Sequence, residues 1–191
     1  MVTQRVLVDA SIFFSRTLTD WVFLLREHTG EMFQVFATED AISEAIAAFR
    51  DKNPTVKGSV TAGRAALVRE NLDEIIGDFP SGLSFTGTDI GDYHLHAAAH
   101  AGRADFVLTS NDPRDITARD EPYEVIHPDA FFALVAQSAP AELLDVVQRQ
   151  ARYWGKKEHS LPLDEALRRA GCPDFAGTVR KALQDLAHRP G

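Results

Sequence analysis

The stretch Arg5-Val6-Leu7-Val8-Asp9-Ala10-Ser11 decides how this chain is read. Val6, Leu7 and Val8 form a short apolar run that reads as a buried strand ending at Asp9. A helix is expected to follow over roughly Ser11–Glu27, with Leu18, Trp21, Val22 and Leu25 at helical spacing. A buried strand running into a longer amphipathic helix is the unit from which layered α/β folds are built.

Working outward, the same alternation continues. Thr38 suits the N-cap of a second helix over Glu39–Arg50, whose inner face carries Ala41, Ile42, Ala45, Ile46 and Phe49. Ser59–Phe79 reads as a third helix bearing Leu67, Leu72, Ile75 and Ile76, stopped by Pro80–Gly82. Asp89 suits the cap of a fourth helix over Gly91–Ala101. Phe106–Thr109 and Glu124–Ile126 read as further strands, and Pro128 opens a helix over Asp129–Ala136. A break at Ser138–Pro140 divides a body, residues 1–137, from a helical tail, residues 138–191. The tail reads as helices Ala141–Tyr153, Pro162–Ala170 and Pro173–Ala187. The expected architecture is α/β: a central, mostly parallel sheet flanked by helices, with a C-terminal helical extension.

Composition narrows the function classes. Of 191 residues, 45% are hydrophobic, ample for a buried core, and no run is long enough for a membrane span. Val6–Phe14 is interrupted by Asp9 and lacks a signal-peptide cleavage pattern. The one cysteine, Cys172, excludes an internal disulfide and suits a reducing compartment, so a soluble, cytoplasmic protein is expected. The net charge of −8 is unevenly divided. The body holds 11 Lys/Arg against 21 Asp/Glu, a net of −10, and the tail 9 against 7, a net of +2. Such an acidic body is either a solvated surface or a carboxylate cluster that takes divalent cations.

Four acids stand where ligands sit in an open α/β sheet, at strand ends and on the helices beside them. Asp9 directly follows the first strand; it is either a helix cap or a metal ligand, since a buried carboxylate must be paired or coordinated. Glu44 lies mid-helix between Ala41-Ile42 and Ala45-Ile46, bordering the buried face. Asp92 opens the fourth helix, and Asp112 follows the strand Phe106–Thr109 within a turn, Asn111-Asp112-Pro113. Each acid alone has an ordinary structural explanation; four at two strand ends and on two helices point to a common site.

These segments resemble PIN-domain ribonucleases, in particular the VapC-type toxins of type II toxin–antitoxin systems. Val6-Leu7-Val8-Asp9-Ala10-Ser11 is similar to the family's opening strand and first aspartate, and Thr38–Phe49 to its second helix, with Glu44 at the usual glutamate. Asp92-Tyr93-His94-Leu95-His96-Ala97-Ala98-Ala99 resembles its Asp-x-His followed by small residues, and Gly102–Asn111 its Ala-Asp strand. Ile126-His127-Pro128-Asp129-Ala130-Phe131 extends the likeness, which covers about residues 5–136. Two positions depart from it. Ala10 stands where a hydroxyl residue is common, and Asn111, followed by Asp112, stands where many relatives have the fourth acid; Asp105 competes for that place.

The resemblance implies a PIN-like three-layer fold and a metal-dependent endoribonuclease. Asp9, Glu44, Asp92 and Asp112 would be catalytic, with Asp9 and Asp92 on the Mg²⁺ or Mn²⁺. Ser11, His94, Ser110 and Asn111 would contact substrate. It further implies an RNA substrate such as a tRNA loop, products with 5′-phosphate and 3′-hydroxyl ends, a small antitoxin partner and a homodimer. The alternative within the fold is a protein that binds RNA or a partner without cleaving. Phosphatases of the haloacid-dehalogenase kind also begin with a strand-end Asp but need a second Asp where Ser11 stands. A signalling receiver domain needs its Asp on a middle strand and a late Lys that this chain lacks.

Asp92, His96 and His100 lie at i, i+4 and i+8, which puts them on one helix face. Two histidines at that spacing can bind zinc, but no cysteine is near in sequence to complete a site, and His94 falls off the i, i+4, i+8 face. In the tail, Leu143, Leu144, Val147, Leu163, Leu167, Val179, Leu183 and Leu186 call for burial. Tyr153-Trp154-Gly155-Lys156-Lys157 sets two aromatics beside two lysines, either packing residues or a hold for single-stranded nucleic acid.

Overall fold

The computed structural model describes residues 3–30 and 32–188. Five short strands make an all-parallel sheet: β1 (Gln4–Val8), β2 (Phe33–Thr38), β3 (Glu74–Ile76), β4 (Phe106–Leu108) and β5 (Glu124–Ile126), in spatial order β3-β2-β1-β4-β5. β1 is central, pairing Val6 with Val35 of β2 on one side and with Phe106 of β4 on the other. The order reverses at β1, so the carboxyl ends of β1 and β4 border the crevice where such sheets bind ligands.

Side chains alternate across the strands, and each face has its own core. Val6 and Val8 of β1 with Phe33, Val35 and Ala37 of β2 point to one face. There they meet α1 (Ala10–Phe14), α2 (Arg16–His28), α3 (Glu39–Lys52) and α4 (Gly58–Asn71) through Ile12, Leu18, Trp21, Ile42 and Val68. Leu7 and Phe36 point to the other face, under α5 (Tyr93–Ala101) and the short α6 (Pro113–Ile116), with Leu95, Ala98, Ala99 and Ile116. The result is three layers, as the sequence pattern predicts.

On the α1–α4 side of the sheet, three elements differ from the sequence reading. The helix expected over Ser11–Glu27 is two helices, because Ser15 is extended and its hydroxyl accepts from Leu18 N to start α2 afresh. β2 carries no alternation of apolar and polar residues, since five of its six positions are buried, and it is missing from the sequence reading altogether. The third helix ends at Asn71, and its expected last turns are β3 instead. Leu72 is extended, and Asp73 accepts from Val35 N at 2.8 Å and pairs with Arg26, so tertiary contacts outweigh the helical spacing of Leu72, Ile75 and Ile76.

The tail is α8 (Pro140–Trp154), α9 (Leu163–Arg169) and α10 (Pro173–Ala187), following α7 (Pro128–Ser138) after a turn of 117° at Ala139. Leu143, Val146, Val147, Leu167, Phe175 and Val179 belong to the same hydrophobic cluster as Trp21, Phe131 and Phe132. Phe175 sets its ring edge-on to Trp21 at 5.0 Å and lies 5.2 Å from Phe132. The α10 N-terminus is capped from outside, Asp129 of α7 accepting from Asp174 N and Phe175 N at 3.1 and 2.8 Å. Gly171 ends α9 at φ +86°, a left-handed turn that favours glycine and delivers buried Cys172 to the core. Among the described residues, no single helix is long and apolar enough to cross a membrane.

Candidate active site

Asp9 occupies the N-cap position of α1 but caps nothing. Its carboxylate is 3% exposed, and Oδ2 accepts from the hydroxyls of Ser11 at 2.6 Å and Thr109 at 2.7 Å. Those hydroxyls accept in turn from backbone: Ser110 N donates to Ser11 Oγ at 3.0 Å and Asn111 N to Thr109 Oγ1 at 3.0 Å. The two strand ends are thereby tied to one carboxylate. The missing hydroxyl at position 10 leaves no gap, because Ser11 and Thr109 supply both donors.

Two further acids come to the same crevice. Glu44 projects from α3 with its side chain about half exposed, 3.4 Å from His94 Nε2. Asp92 stands in a 3₁₀ turn, Ile90–Asp92, which Asp89 caps by accepting from Gly91 N at 2.8 Å. That winding stands in place of the α-helix expected from Gly91, and α5 begins only at Tyr93.

The electrostatics show the convergence. Burial, then repulsion from Asp9 and Asp89, raises the Asp92 pKa from its ordinary 3.8 to about 6, with His94 opposing and Asp115 adding to the rise. Burial also raises Glu44, His94 lowers it, and the Asp9 and Asp40 charges raise it further. Asp9 and His94 thus act on both Glu44 and Asp92. His94 Nδ1 is buried with no hydrogen-bond partner among the described residues. Beside it, Asp40, Ser43, Glu44, Ile90, Gly91, Tyr93 and His94 line an open hollow of about 390 Å³.

Asp112 is placed differently. Its carboxylate caps α6 by accepting from Arg114 N at 2.9 Å and pairs with the Arg114 guanidinium at 2.6 Å, which lowers its pKa to about 2. Of the nearby acids it is Asp115, held by the Thr88 hydroxyl at 2.7 Å, whose charge reaches Asp92. Asp105 accepts from Arg5 N at 2.7 Å just before β4, at the amino end of the strands, opposite the carboxyl ends that carry Asp9. Ser110 and Asn111 are exposed at the end of β4.

The tail reaches the crevice through an arginine. Arg169 lines a hollow of about 600 Å³ together with Ser11, Glu44 and Ser110. Sequence reading named the lysines after Trp154 instead. Lys157 lies over the exposed Tyr153 ring at 5.2 Å, and Trp154 is half-buried under Arg16 at 5.4 Å.

Hard oxygen donors that repel one another and share a cleft with an unsatisfied polar atom suit a hard divalent cation. A pH effect follows from Asp92. Its raised pKa means the folded chain binds more protons than the unfolded chain between about pH 4 and 6, so stability falls as pH rises through that window. In chelator, Asp92→Asn should raise the melting temperature above pH 7 by about 2–4 °C, equivalent to about 1 kcal/mol once the exposure of this half-buried group is allowed for. The gain should vanish below about pH 4. Melting curves of the two proteins across pH check this; a gain that persists in acid would place the repulsion elsewhere.

No protein-family model, curated protein or solved structure matches the chain.

Proposed function

We propose that the chain is a divalent-metal-dependent endoribonuclease of the PIN kind, acting in the cytoplasm as the toxin of a toxin–antitoxin pair. The observation that carries the reading is the state of Asp9. It is a buried carboxylate at a strand end that performs no capping, is held by two hydroxyls, and faces Glu44 and Asp92. Its resemblance to PIN toxins in the order of these residues supplies the substrate class.

Asp9 and Asp92 would hold Mg²⁺ or Mn²⁺, with Glu44 beside them. When bound, such an ion supplies Lewis acidity toward the scissile phosphate and lowers the pKa of water. The chain's own contribution is orientation. The Ser11 and Thr109 hydroxyls fix the Asp9 carboxylate through Oδ2, which would leave Oδ1 for an ion. His94, 3.4 Å from Glu44, would contact RNA. Ser110 and Arg169 line the hollow where a phosphate backbone would pass, with Asn111 exposed next in the chain; Arg169, now paired with Glu165 at 2.9 Å, would turn to a phosphate there.

The antitoxin would bring a basic or aromatic side chain to Glu44 and Asp92, and a homodimer would gather two acidic clefts. One feature favours the alternative, a fold of this kind that binds without cleaving: Asp112 is committed to Arg114, which leaves three acids in the group. Incubation with single-stranded RNA and tRNA in Mn²⁺ decides between them. Cleavage to 5′-phosphate ends, stopped by chelator, is expected; binding without cleavage in Mg²⁺ and in Mn²⁺ would establish the alternative.

A further inference from the structure

We propose that His96, His100 and Glu121 form a zinc-class metal site on the far side of α5, separate from the carboxylate cleft. One potential ligand atom from each residue lies within 4.8 Å of the other two. The histidines are one helical turn apart on α5, so both rings point the same way, 4.7 Å between centroids. Glu121 arrives from the segment between α6 and β5, a contact spanning 21 residues.

The geometry is close to what an ion requires. His100 Nε2 and Glu121 Oε2 are 3.1 Å apart, near the edge of about 3.3 Å expected of a tetrahedron with metal–ligand bonds of about 2.0 Å. His96 is 2% exposed, and its Nδ1 is held by the Tyr123 hydroxyl at 2.7 Å. With Nδ1 engaged there, Nε2 is the nitrogen that would ligate, giving up its contact with the Ser84 carbonyl, and the Tyr123 bond is the kind of outer hydrogen bond that orients a metal-binding imidazole. Phe85 and Tyr93 close over His96 at 5.6 and 6.4 Å. His100 keeps about a third of its side chain exposed, which gives an ion a way in and leaves room for water as fourth ligand.

Two nitrogens and one carboxylate oxygen favour Zn²⁺ and its neighbours Co²⁺ and Ni²⁺ over Mg²⁺, which takes oxygen ligands. The ion would fasten the segment before β5 to α5. The competing occupant of the same space is a proton shared by His100 and Glu121, with His96 an ordinary core histidine between Tyr123 and the Ser84 carbonyl.

The test uses the full chain freed of metal by chelator. Zinc in hundredfold excess over its dissociation constant should raise the melting temperature by about 5 °C or more, with one ion bound by calorimetry. Cobalt should give the intense visible absorption of a tetrahedral centre. His100→Gln and Glu121→Gln, both at partly accessible side chains, should each weaken zinc binding at least tenfold, whereas Asp9→Asn/Asp92→Asn should leave it intact. The site is overturned if wild type shows neither the shift nor the cobalt spectrum, or if both single variants bind zinc like wild type. Loss of binding in the double Asp variant overturns it too, by moving the ion to the carboxylate cleft.

Discussion

Asp9→Asn is expected to reduce metal-dependent RNA cleavage about a thousandfold, equivalent to about 4 kcal/mol of transition-state stabilisation, while the fold survives. The substitution is nearly isosteric. Its single amide oxygen can accept from the Ser11 and Thr109 hydroxyls that Asp9 Oδ2 holds now at 2.6 and 2.7 Å. The negative charge facing the cleft is what disappears, and with it the strongest reason for a cation to stay between Asp9 and Asp92. Asp92→Asn should act in the same direction on cleavage. Initial rates in Mn²⁺, set beside circular dichroism and melting curves, check the prediction. A folded Asp9→Asn that cleaves within tenfold of wild type would show that this carboxylate holds no ion in the reaction.

The second large effect concerns the tail. Phe175→Ala should cost about 3–5 kcal/mol, because it empties a fully buried site between Trp21 of α2 and Phe132 of α7. At this chain length that corresponds to a fall of about 10 °C in melting temperature. The transition should remain single, since the cluster joining Val6, Trp21, Phe132, Phe175 and Val179 runs unbroken from sheet to tail. A loss under 1 kcal/mol, or a melt in two steps, would show that the tail folds by itself. The expected division at Ser138–Pro140 proves to be one residue, Ala139, between two helices.

Much of the site was legible because it depends on local signals. A buried apolar run ending at Asp9, a Thr38 cap ahead of Glu44 and an Asp89 cap ahead of Asp92 are each set by a few neighbouring residues. What escaped depends on distant partners. Asp73 turns Leu72–Ile76 from helix to strand through Arg26 and Val35, and nothing near Leu72 announces it. Glu121 joins His100 only after α5 has packed on the sheet. Arg169 lines the hollow beside Ser11 and Glu44 although more than 120 residues of chain separate it from either. Asp112 shows the converse: it stands at a strand end like Asp9, but an arginine two residues away claims its carboxylate.

The placing of β1 at the centre of the sheet has a consequence for when the cleft comes into being. Its first neighbour, β2, follows after a short crossover, but Val6 meets Phe106 only across 100 residues of chain. Thr109, which bonds Asp9, is equally far. Closing so long a loop is slow and must be paid for before any contact is gained. During synthesis, Asp9 therefore leaves the ribosome long before the strand that orients it. A chain that cuts RNA would emerge beside the translation machinery with its first carboxylate still unconstrained, and the cleft would close only after β4 had followed.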